Sequence, residues 1–158
     1  MVTAEEMEKT SVLETRRWGK LAINFDELIQ FPRGILGFDQ FHQFSFFAAE
    51  EIKPFQWLIS IDQTDLGFVV VVPQVIYPDF NPKIYKADLQ ELKVEPTDQL
   101  SLFVIVTLAA NPLESTANLQ GPLLINTTKK IGKQIIVVEE RYTIKFPIIN
   151  ANNNGGQN

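Results

Sequence analysis

The sequence predicts an all-β fold, β-rich with short helices, organised as a small β-barrel-like single domain. Three observations carry that prediction. Some apolar residues recur with the two-residue period of half-buried strands. Other apolar runs are continuous and rich in β-branched residues, as strands covered on both faces are. Clusters of Pro, Gly, Asn and Asp separate the runs at short intervals, which favours a closed or nearly closed barrel, or a sandwich. A chain of 158 residues with 45% hydrophobic content is sufficient for one core.

Taken in order, residues 1–14 read as an amino-terminal extension, acidic and frayed, in which Thr3 and Glu6 have capping-box spacing. The barrel domain spans 15–149. Its first strand alternates Leu21, Ile23 and Phe25 with Lys20, Ala22 and Asn24. Phe31-Pro32-Arg33-Gly34 and Leu36-Gly37 punctuate the next loop. Gly37 to Phe44 has the aromatic spacing of a short helical turn entering a strand, with His42 at its surface in a structural role. Phe55, Trp57, Ile59 and Ile61 alternate with Gln56, Leu58, Ser60 and Asp62, one face inward and one outward. Asp62 to Gly67 is a tight connection to the continuous run Phe68–Val72. Tyr77 to Pro82 is a proline-rich loop, and Asp88–Leu92 and Pro96–Leu100 each suggest one or two helical turns. Leu102–Leu108 is a buried strand, Asn111-Pro112 a turn, and Leu119–Ile125 a weaker strand whose Gly121-Pro122 marks a bulge or an edge. Ile135–Val138 reads as a last strand buried on both faces, and 150–158 as a disordered Asn- and Gly-rich tail.

Composition narrows function by exclusion. The chain has no cysteine and one histidine, so thiolate metal sites and disulfides are absent and a histidine metal cluster is excluded. The dispersed glycines form neither a Walker nor a dinucleotide loop. Asp62 and Asp65 pair two carboxylates, but between two strands Asp and Gly serve a turn better than a site. Apolar runs fall far short of the ~20 residues of a spanning helix, and the acidic start is unlike a signal peptide. The expectation is a soluble cytoplasmic protein with no cofactor, no small-molecule substrate and no contact with membrane. A net charge of −5 argues against direct nucleic-acid binding.

What remains is recognition of protein. Between Asp62 and Asp98 seven acids face three lysines, an acidic middle suited to steering a basic partner or simply to solvation. Tyr77 and Phe80 lie in a loop on a rigid scaffold, where aromatics either anchor an interface or plug one barrel end.

Several segments together are similar to one known family. They are Phe31-Pro32-Arg33-Gly34-Ile35-Leu36-Gly37-Phe38, Phe55 to Asp62, Leu66 to Pro73, Tyr77 to Phe80, Thr116 to Asn126, and Gly132-Lys133-Gln134 followed by Arg141-Tyr142. In order and spacing they cover about Thr15 to Pro147, and the chain so read resembles the bacterial flagellar assembly factor FliW family. Leu36 stands where the pattern carries proline, and both chain ends lie outside it. The resemblance implies a small β-barrel-like fold. It also implies a cytoplasmic protein that binds flagellin as a chaperone and binds the translational regulator CsrA, lifting repression of flagellin messenger RNA. On that basis Asp62, Asp65, Asp79 and Asp88 are expected to meet CsrA, with Tyr77 and Phe80 as apolar anchors. Asn118 and Asn126 flank Gly121-Pro122 and are expected to satisfy an irregular edge, a folding role favoured over binding. The competing readings are an enzyme using paired carboxylates with a divalent cation, and a self-associating structural subunit.

Overall fold

A computed structural model of the protein describes residues 10–148. The Thr3–Glu6 capping box and the 150–158 tail therefore lie outside the described residues. Strand structure begins at Thr10, inside the segment expected to fray. Strands β1 (Thr10–Thr15) and β2 (Gly19–Asn24) form an antiparallel hairpin that is a sheet of its own.

The other strands form one curved sheet. They are β3 (Ile29–Gln30), β4 (Gln43–Ala48), β5 (Gln56–Ser60), β6 (Gly67–Val71), β7 (Leu100–Thr107), β8 (Thr116–Ala117), β9 (Leu123–Asn126), β10 (Ile131–Gln134) and β11 (Phe146–Pro147). From β3 to β7 the neighbours are sequential and antiparallel. β10 pairs parallel with β3 and antiparallel with β9, and β9 returns to the first half of β7. Seven strands thus close a barrel, while β8 and β11 extend from the second half of β7. Along the shared edge of β7, Phe103 faces Leu123 and Val106 faces Ala117, so six steps of one strand oppose three of the other. The irregularity expected at Gly121-Pro122 is this bulge.

Alternate side chains enter two cores. Phe31, Phe44, Leu58, Val70, Leu123 and Ile125 form one. Val69, Val71, Val104 and Leu124, from the opposite face, pack with Ile76, Phe80, Leu92 and Tyr142 of the covering loops and helix. Because both faces are covered, the alternation expected over Phe55–Ile61 fails: Leu58, Ile59 and Ser60 are all buried.

Three further expectations change. Phe25 sits in a 3-10 turn (Phe25–Glu27) and is half exposed, so the β2 pattern ends at Ile23. Pro96–Leu100 is no helix: the Asp98 carboxylate accepts the Glu95 N–H at 3.0 Å and closes a turn that leads into β7. Helix α1 (Lys86–Glu91) matches the other helical signal. Ile135–Val138 is not covered on both faces, because Ile135 and Val137 are buried whereas Ile136 and Val138 stand in solvent.

Candidate functional site

A groove of about 890 Å³ opens between the 33–39 loop, α1 and the segment after β10. Phe31-Pro32 ends β3 and Gly34, at φ +66°, turns the chain outward. A side chain at Gly34 would place its Cβ 2.5 Å from the Asp39 Cα, so this turn admits glycine alone. It delivers Leu36 to the rim, where it is 86% exposed. The Leu36 N–H donates to the Gln134 side-chain oxygen at 2.9 Å, and the Gln134 amide donates to Gly121 O at 2.9 Å. One glutamine thereby ties loop, strand and bulge together. Ile136, Ile144 and Tyr85 add exposed apolar surface to the groove.

One wall is ionic. Lys133 lies 2.7 Å from Asp88, a pair whose side chains are 14% and 18% exposed, and it also meets Glu91, which in turn pairs with Arg33. Burial works against the Lys133 ammonium, but hydrogen bonds to Asp88 and Glu91 outweigh it and its pKa is raised. The charge is held as a strut and is not poised for proton transfer. Among the described residues no cluster of three or more His, Asp or Glu is placed to hold a metal ion.

The sequence-selected acids do not gather in one patch. Asp62 accepts the backbone N–H groups of His42 and Gln43 at 2.7 and 2.9 Å, holding the entry to β4 to the β5–β6 turn. His42 is exposed, its Nδ1 3.0 Å from Phe31 O, in keeping with a structural role. Asp65 pairs with Arg16 at the hairpin tip. Asp79 is exposed, and only Asp88 reaches the groove. Phe80 requires correction as an apolar anchor. It is 3% exposed and meets the Tyr142 ring edge to face at 4.6 Å, and half-buried Tyr77 packs on Phe80, Tyr142 and Phe146. A side chain so enclosed has no area left for a partner, so Phe80 itself acts as a plug.

Asn118 lines the groove, where its Oδ1 accepts the N–H groups of Gln120 and Gly121 at 3.0 and 3.1 Å. Asn126 is fully buried and donates to Leu92 O and to Asp98. Leu36, Tyr85, Ile136 and Ile144 were absent from the sequence-derived site. In 135–138 every residue is apolar, so hydropathy carried no sign of which face is wet.

The described residues thus form a small closed barrel with an open groove, part apolar and part ionic, and no clustered metal ligands. The chain belongs to the FliW family. A family model described as "FliW protein" matches residues 11–148. The "Flagellar assembly factor FliW" of Caldanaerobacter subterraneus subsp. tengcongensis is 40% identical over 138 residues, covering 87% of this chain and 92% of the relative. That of Alkaliphilus metalliredigens is 37% identical over 139 residues, with 87% and 86% covered. A crystal structure of the flagellar assembly factor FliW superimposes with a TM-score of 0.80 at 31% identity, covering 87% of this chain and 96% of the other.

Proposed function

We propose that this chain is a flagellar assembly factor acting by occupancy, without catalysis. In this reading it binds flagellin as a cytoplasmic chaperone and binds CsrA, antagonising CsrA's repression of flagellin messenger RNA. The observation that carries the reading is the exposed apolar groove on a barrel whose relatives bear the flagellar name. Contiguous exposed apolar surface on a folded domain marks a docking site for protein. Two ligands that exclude one another make a sensor: the amount of the first sets how much of the chain is left for the second.

The acidic residues that face solvent, Asp79 above all, supply attraction for an RNA-binding regulator with basic surface. Neutralising Asp79→Asn is expected to weaken CsrA binding and flatten its salt dependence, whereas Asp88, already paired with Lys133, is left in place. Titration calorimetry at two ionic strengths reads both, and unchanged values would remove Asp79 from the contact. Calorimetry with purified flagellin and CsrA tests the function itself. Each should bind alone, and saturating flagellin should displace CsrA. A chain that ignores both partners, or that turns over a small substrate, overturns the proposal.

A further inference from the structure

Beyond β10 the chain keeps its pairing with the strand before it. Ile135 N–H donates to Pro122 O and Val137 N–H to Gln120 O, each at 2.9 Å. These bonds continue the register in which Ile131 faces Asn126 and Gln134 faces Leu123. The reciprocal bonds are missing because Pro122 has no N–H and the Gln120 N–H is taken by Asn118. Segment 135–138 is therefore a strand in all but its partner's donors. Successive backbone groups of a strand point to opposite edges. The N–H groups of Ile136 and Val138 thus face away from β9, and among the described residues they have no hydrogen-bond partner. Among the described residues no strand covers that edge, since β3 pairs with β10 only at Ile131 and the chain turns off at Pro32.

We propose that this edge accepts an extended segment of a partner protein as an added strand. A row of unpaired N–H and C=O groups selects extended backbone over a helix. The wall selects composition. Four charges, Arg33, Lys133, Asp88 and Glu91, are paired with one another, leaving Asp39 of the 33–39 loop as the further charge in the lining, so a segment with little charge complements the groove better than a strongly basic one. Exposed Leu36, Ile136 and Ile144 take apolar side chains at alternate positions of the guest. The free edge spans roughly 13 Å at about 3.3 Å per residue, room for about four residues of guest strand. An uncharged strand suits flagellin better than basic CsrA; this assignment rests on the flagellin-binding reading above.

The test uses overlapping ten-residue peptides tiled along flagellin, titrated into the full chain while amide hydrogen exchange is followed at Ile136 and Val138. At least one tile with alternating apolar residues should slow both amides tenfold or more. N-methylating alternate amides of that tile should cost at least tenfold in affinity. Ile136→Pro removes one donor at an edge position where proline is tolerated, and should do the same; the N-methylated tile needs no altered protein and so stands alone if the variant misfolds. Strand addition is overturned if no tile protects these amides, or if the bound tile is indifferent to N-methylation. Protection without peptide in a concentration-dependent dimer would overturn it too, assigning the edge to a second copy of the chain. If a folded Ile136→Pro chain binds intact flagellin as the unaltered chain does, strand addition fails and the flagellin reading survives. If intact flagellin does not bind the unaltered chain, both fail.

Discussion

Asn126 and Asp98 show how single residues hold the end of the barrel. Asn126 is fully buried, and its amide spans Leu92 O at 3.0 Å and the Asp98 carboxylate at 2.9 Å, while its oxygen accepts the Lys129 N–H at 3.2 Å. Asn126→Ala strands these partners in a dry site, where each unsatisfied group costs about 1–3 kcal/mol. We expect a loss of about 2 kcal/mol, a fall in melting temperature of about 4–8 °C, with the groove residues unmoved. The Asp98 carboxyl is held down to about 2, chiefly by hydrogen bonding to Lys129 and then by the Glu95 N–H and Asn126. Its folded pKa lies below the ordinary value near 3.9, so its stabilisation is complete above that value and disappears as pH falls toward 2. Urea midpoints measured between pH 4 and 2 should therefore fall less steeply for Asp98→Asn than for the unaltered chain; identical slopes would refute the assignment. Asn126 was legible from sequence only as a residue flanking a break. Its partners lie 28 and 34 positions away, and no local pattern announces them.

Elements differ in how far they can be read. β6 and β7 stand out because both faces are covered and every position is free to be apolar. The β1–β2 hairpin was half missed, because its burial is shallow and its attachment is made at the tip. There Trp18 stacks on Trp57 at 4.5 Å, Arg17 lies 4.4 Å over Trp18, and the Trp18 indole N–H donates to Thr64 O at 2.6 Å. Gly67 makes room for this ring, since a Cβ there would lie 2.7 Å from it. Gly67→Ala should displace the indole at a cost of about 1–3 kcal/mol. The chain's two tryptophans are this pair, so a change in intrinsic fluorescence reports the displacement directly. An unchanged spectrum would mean that the tip does not hold the hairpin. Gly34 is the corresponding glycine of the groove. Gly34→Ala combines a left-handed backbone with a clash against Asp39, and it should weaken partner binding as well as lower the melting temperature, because Leu36 rides on that turn.

At the scale of the whole molecule, the all-β barrel was legible because strand periodicity and turn residues agree along the chain. Closure was not. It depends on β3 meeting β10 and on β7 dividing one edge between two partners, and neither leaves a mark in the run of residues. The same limit explains the candidate site. Sequence picked out acids and aromatics by type, and the fold sends them to separate duties: a turn for Asp62, the hairpin tip for Asp65, a strut for Asp88 and a plug for Phe80. The metal-dependent alternative has a whole-molecule test. A cation bound by the folded chain must raise its melting temperature by mass action, and a shift with millimolar Mg²⁺, Ca²⁺ or Mn²⁺ would revive that alternative; we expect none.

The parallel pairing of Gln30 with Ile131 has a consequence for how the protein is made. On the ribosome the chain up to Thr107 emerges with β3 and β7 waiting for strands that have not been synthesised. Contacts so distant along the chain form slowly and late. The nascent chain cannot complete its wall until the β9–β10 hairpin clears the exit tunnel, so truncation anywhere before Gln134 leaves not a smaller barrel but an open, sticky sheet.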